Sequence, residues 1–191
     1  KTTAILRQFR NEWELETSAL CHDQAWCLLV QVGPHINGAW GRLLALKGQI
    51  NLQKRKLSDK QNGYHDQLIF GNELKPSSDS TSRSVYDSLL AVRKLLADLE
   101  VARTAGQQSW SARFNFNDKI SPLHGDSLGL AAGLVTYAGL LDREVMWRER
   151  KLSGEVGFTG GLDESGTLIA VNNSTLNCKV SRAFFSHLKY L

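Results

Sequence analysis

The 191-residue chain is 42% hydrophobic and 22% charged, with 3 Pro and 5 Trp, a balance that fits one compact globular domain with or without a short extension and excludes a disordered or fibrous chain. Lys+Arg 23 against Asp+Glu 19 leaves a formal charge of +4, which permits contact with nucleic acid or acidic surfaces without demanding it. No apolar run approaches the ~18–20 residues of a membrane span, and Lys1 to Arg10 lacks the layout of a signal peptide, so no membrane partner is expected.

Residues 1–20 are rich in helix formers and read as a helical lead-in, or a linker from a larger protein, ahead of a domain over 21–191. Ala25 to Val32 is a nearly continuous apolar run, followed by turn residues Pro34, Asn37 and Gly38 and a second run, Gly41 to Ile50; two strands joined by a short connection are expected. Asp66 to Phe70 can form a third strand. Gly71 to Ser84, dense in Ser, Asp and Pro, reads as the most disordered loop. Val85, Leu89, Val92, Leu96 and Leu99 then recur at helical spacing and predict an amphipathic helix.

Trp110 to Asn117 alternates through Trp110, Ala112, Phe114 and Phe116, predicting a strand with Arg113, Asn115 and Asn117 on its open face. Gly125 to Leu141 is apolar almost all round, as a helix buried among other elements is. Leu152 to Phe158 and Thr167 to Val171 read as the two strands of a hairpin around a Gly-rich turn. A last helix, capped by Asn173 or Ser174, would place Val180, Ala183, Phe184 and His187 on one face, and Leu188 to Leu191 begins another strand, so that the chain reads as a C-terminally incomplete fragment. Strand pairs mixed with helices give an α/β or α+β class, helices packed on a mixed sheet. No GxxxxGK[ST] phosphate loop is present, so ATP enters only through a separate motor domain, and no cofactor is expected in this chain.

Cys21, Cys27 and Cys178 are an odd number at spacings that fit neither CxxC nor a zinc ribbon, which favours reduced thiols in a cytoplasmic or other reducing compartment. Cys21, His22 and Cys27, with His35 as a distant fourth, fit no zinc module, and no metal site is expected. His124, Asp126 and Ser127 contain the residue types of a catalytic triad but are too close in sequence for triad geometry. More informative is HGDSLGLAAGL, His124 to Leu134, where Ser127 lies between two glycines at the start of an apolar helix. Backbone amides at such a position point outward with the positive end of the helix dipole and suit an oxyanion. A plain N-cap by Asp126 or Ser127 is the bland alternative.

GDSLGLAAGLVTYAGLLDREV followed by LSGEVGFTGGL resembles the proteolytic domain of the Lon protease family, whose fold has mixed sheets with packed helices of the ribosomal-protein-domain-2 type. The resemblance spans about residues 22–191 and is specific in the last third. It implies a Ser-Lys dyad with Ser127 as nucleophile and Lys179 as general base. It also implies that Ser153, in the Ser153-Gly154-Glu155 element, holds the lysine amine, and that main-chain N–H groups near Asp126 and Ser127 bind the oxyanion. Arg113 and Asn115 would contact substrate or form a solvated face. The sequence departs from the family in having Asp126 for Pro, His124 for an acidic residue, LNCK for GGxKEK, and a longer stretch between Glu155 and Lys179.

A lysine serves as base only if it is neutral near pH 7, which burial can achieve by disfavouring the ammonium; a surface lysine on a helix is the alternative reading. The activity implied is hydrolysis of peptide bonds in unfolded or delivered protein, with ring-like, sixfold self-association and a motor domain or partner elsewhere. The rival expectation is a non-catalytic domain of the same fold, like that of RadA-type DNA-repair proteins, which GEVGFTG also resembles.

Overall fold

The computed structural model describes residues 21–32, 39–53, 67–70, 79–98, 109–117, 125–141, 152–170 and 173–191. The lead-in over residues 1–20 lies outside them. In chain order the elements are β1 (Cys21–Val32), β2 (Ala39–Gln53), β3 (Gln67–Phe70), α1 (Asp79–Asp98), β4 (Ser109–Phe116), α2 (Gly129–Leu141), β5 (Gly157–Phe158), β6 (Gly161–Leu162), β7 (Leu168–Ile169) and α3 (Asn173–Phe184). The class is mixed α/β.

One sheet of order β3-β4-β2-β1-β5 organises these elements. β1 pairs antiparallel with β2 along the whole of β1, with Cys27 opposite Leu44 and Ala25 opposite Leu46. β4 continues the antiparallel pattern, Phe114 opposite Gly48 and Ala112 opposite Ile50. Because side chains alternate across a strand, these registers put Ala25, Cys27 and Leu29, Leu44, Leu46 and Ile50, and Trp110, Ala112, Phe114 and Phe116 on one face. That face is the core, closed by Val85, Leu89, Val92 and Leu96 of α1 and Ala131, Ala132 and Val135 of α2. α2 comes close at Gly48, where an added Cβ would meet the Val135 side chain. The other face receives α3, whose Cys178 carbonyl and Arg182 Cβ lie where a side chain on Gly41 would stand. β5 and the C-terminal residues complete that side: a Cβ on Gly157 would meet Leu188 and Leu28. Two helices, a sheet and a third helix therefore form three layers.

Four expectations need correction. Residues 79–84 belong to α1 rather than to a loop, because Thr81, Ser84 and Ser88 are buried and hydrogen-bonded instead of solvated. The hairpin is β6 with β7, not 152–158 with 167–171. The chain breaks at Thr159-Gly160, where Gly160 takes φ 118, a left-handed value that favours glycine. β5 before the break pairs in parallel with β1 in the main sheet, Trp26 opposite Gly157. The hairpin turn is tied by Asp163, whose carboxylate accepts from the Ser165 and Thr167 amides and the Ser165 hydroxyl. The buried apolar helix begins at Gly129, with 125–128 forming turns ahead of it. Finally, the Val180–Phe184 side of α3 faces outward: Val180 and Phe184 are exposed, and the residue of α3 that is fully enclosed is Lys179.

Candidate active site

The turn ahead of α2 is held from three directions. From α1, the Thr81 hydroxyl donates to the Gly125 carbonyl at 3.0 Å and the Ser84 hydroxyl donates to the Asp126 carbonyl at 2.9 Å. From within, the Gly129 amide donates to the Asp126 carbonyl at 3.2 Å, closing the turn that contains Ser127. From the segment after β5, the Gly160 amide donates to the Ser127 carbonyl at 3.3 Å, while the Leu130 amide donates to the Gly160 carbonyl at 3.0 Å. This reciprocal pair fixes the Ser127 backbone beside Thr159. Gly125, at φ 82, allows the chain to enter the turn. No hydrogen bond among the described residues uses the amides of Ser127 and Leu128.

Thr159 follows β5 directly, so its position is set by the pairing of β5 with β1. Its hydroxyl donates to the Leu28 carbonyl at 3.0 Å. α3, packed on Gly41, brings Lys179 to the same point from the other side of the chain. The lysine Nζ lies 2.7 Å from Ser127 Oγ and 2.9 Å from Thr159 Oγ1. Lys179 is 1% exposed, and burial pushes its pKa below the ordinary lysine value.

The proton inventory constrains this triangle. Thr159 has one hydroxyl proton, and the Leu28 carbonyl takes it; toward Lys179, Thr159 can only accept. A neutral amine has two N–H bonds and one lone pair. With one N–H given to Thr159, the lone pair is free to receive the Ser127 O–H. In the ammonium form the direction reverses and Lys179 donates to Ser127. The geometry thus lets one proton pass between Ser127 and Lys179 while Thr159 keeps the amine oriented. Ser127 is half-buried, while Lys179 beside it is enclosed.

Ser153 does not hold the amine. It is exposed, and its hydroxyl accepts from the Glu155 amide at 3.2 Å. Glu155 is equally remote in role: its carboxylate pairs with Lys189 at 2.6 Å and its carbonyl accepts from the amides of Lys189 and Tyr190. The hydroxyl at the amine is that of Thr159, which sequence reasoning missed. A signal was present in GFTGG: counting from Thr159 instead of Ser153 shortens the stretch to Lys179 by six residues.

Asp126 contributes its backbone carbonyl to the turn, while its side chain is exposed. Arg113 is exposed and Asn115 half-buried on the face of β4 away from the core. No hydrogen bond or ion pair among the described residues joins either to Ser127 or Lys179. Cys27 packs in the core, its thiol 3.7 Å from the Ala25 carbonyl and its pKa pushed up by burial, while His35 and His124 lie outside the described residues. Among the described residues, no group of three metal-ligating side chains gathers, and no helix is long and apolar enough to cross a membrane. No protein-family model matches the sequence, and no curated protein matches it either.

Proposed function

We propose that the chain carries a serine endopeptidase centre of the Ser-Lys type, resembling the Lon proteolytic domain, that hydrolyses peptide bonds of unfolded or delivered proteins. The observation that carries this reading is the enclosed Lys179 amine, 2.7 Å from Ser127 and 2.9 Å from Thr159. An unpaired lysine costs too much to bury without a partner, and the two groups that receive it here are hydroxyls, not carboxylates. Hydroxyls do not hold the lysine in its charged form as a carboxylate would, which is what a base working near neutral pH requires.

The steps follow from the proton inventory. Ser127 Oγ attacks the substrate carbonyl as its proton moves to the lone pair of Lys179, and the carbonyl oxygen becomes an oxyanion facing the amides of the turn. The tetrahedral intermediate collapses, the C–N bond breaks, and the Lys179 ammonium returns its proton to the leaving amine. A water molecule then attacks the acyl-enzyme, again losing a proton to Lys179, and Ser127 leaves with that proton as the peptide acid is released. Thr159 orients the amine in both halves. Ring assembly and a motor domain or delivering partner belong to the same proposal and rest on the resemblance alone.

Cleavage of casein by the purified chain, beside Ser127→Ala and Lys179→Met variants shown to be folded, tests the reading. Cleavage lost in both variants is the expected result. Cleavage that survives Lys179→Met would require another base and end the dyad assignment. A folded chain without activity would instead favour a scaffold domain of the same fold.

A further inference from the structure

We propose that Thr81 and Ser84, on a helix that does not carry the dyad, are positioning residues for the oxyanion-binding amides of Asp126 and Ser127; this rests on the peptidase reading above. A peptide unit is planar and trans, so its C=O and N–H point in opposite directions. The hydroxyl of Thr81 fixes the Gly125 carbonyl toward α1, which turns the Asp126 amide away from α1. The hydroxyl of Ser84 fixes the Asp126 carbonyl in the same way and turns the Ser127 amide outward. Two hydroxyls on one helix therefore set the direction of two successive N–H groups at the nucleophile.

Three features mark these contacts as built rather than incidental. Thr81 is 1% and Ser84 4% exposed, in a helix whose other buried positions are mainly Val, Leu and Ala. Both hydroxyls spend their proton on the turn, whereas Ser88, one turn further on, donates back to its own helix at Val85. At Gly129 an added Cβ would meet the Ser84 hydroxyl and carbonyl, so a glycine at the start of α2 is what brings the two helices near enough for Ser84 to reach Asp126. A Thr81→Val or Ser84→Ala change keeps most of the packing volume but frees a carbonyl, and the peptide planes of the turn can then rotate.

The experiment compares the purified chain with Thr81→Val, Ser84→Ala and Thr81→Ser, with Ser127→Ala as the zero. It measures kcat and KM on a fluorogenic unfolded-protein substrate, the affinity of a peptide boronic acid that forms a tetrahedral adduct on a serine oxygen, and the unfolding midpoint. The assay temperature is kept below every midpoint, so that each variant is read folded. Thr81→Val and Ser84→Ala are expected to lower kcat about ten- to a hundredfold with KM nearly unchanged, and to weaken the boronate by a similar factor. Thr81→Ser, which keeps the hydroxyl, recovers most of the loss. A lowered midpoint with kcat and boronate affinity intact would overturn the proposal, because the hydroxyls would then only fasten helix to turn. An unaltered chain that neither cleaves nor captures the boronate overturns the peptidase reading and this proposal with it; an active chain indifferent to all three substitutions overturns the proposal alone.

Discussion

α1 and α3 cover opposite faces of the same sheet, yet they use their residues in opposite ways. On α1, Val85, Leu89, Val92 and Leu96 are buried as their spacing requires, and the hydroxyls of Thr81 and Ser84 are buried beside them. On α3, Val180 and Phe184 are exposed, Phe184 by 80%, and the position that is fully enclosed is Lys179. Hydrophobicity accounts for the Val85 to Leu96 stripe of the first helix and misreads the second. The difference is that the enclosed position of α3 is the one whose amine meets two hydroxyls, supplied by the α2 turn and the residue after β5.

The contrast can be broken or sharpened by substitution. The largest effect belongs to the dyad: Ser127→Ala and Lys179→Met should each lower peptide hydrolysis by about 10⁴-fold or more, read as initial rates on casein. Lys179→Met should at the same time leave stability unchanged or raise it, since an apolar side chain of similar length removes the cost of enclosing an amine; denaturant unfolding would reveal the opposite. On the core side, Phe114→Ala should cost about 3–5 kcal/mol in the same unfolding measurement, for Phe114 is fully buried between sheet and helices.

Next in size is the third member of the triangle. Thr159→Val, which keeps the shape and removes the hydroxyl, should lower kcat by about ten- to a hundredfold as the amine loses its fixed orientation. Ser153→Ala should change it by less than about twofold. Equal effects of the two would return the amine-holding role to Ser153. Smallest of all, Phe184→Ala should move stability by no more than ~0.5 kcal/mol, because its ring contacts Phe185 and solvent rather than the core.

pH supplies a separate test of the lysine. Burial lowers the Lys179 pKa, so the folded chain releases that proton at lower pH than the unfolded chain does. Activity that needs the neutral amine rises as pH climbs through the lowered value, below the ordinary lysine range of ~10.4. Between the two values the unfolded state binds more protons, so stability also rises with pH in that window. In Lys179→Met the rise in stability should disappear. A pH–rate profile with its ascending limb near the ordinary lysine value would sink the assignment of Lys179 as base.

Much of the architecture was legible because it rests on local pattern. The alternation Trp110, Ala112, Phe114, Phe116 gives a strand with one buried face, and the 85–96 spacing gives a helix, whatever they pack against. The start of α1 was not legible in the same way. Asp79 to Ser84 has the composition of a loop, and only the carbonyls of Gly125 and Asp126, brought in from 44 and 42 residues along the chain, give its hydroxyls a reason to be inside. The hairpin was misplaced for a related reason. β5 and β6 are each two residues long, too short for periodicity to register, and it is their separate partners, β1 and β7, that divide them.

By itself the sequence determined the elements of the core, the small-residue turn that presents Ser127, and the order of serine and lysine along the chain; these depend on side-chain periodicity and glycine conformation, which act over a few residues. Tertiary structure alone decided that Thr159 and not Ser153 meets Lys179, that Val180 and Phe184 face outward, and that α1 anchors the Ser127 turn. The first and last of those outcomes are matches between a donor and an acceptor from distant segments, and a buried polar group's need for its partner becomes readable only once the partners are in place.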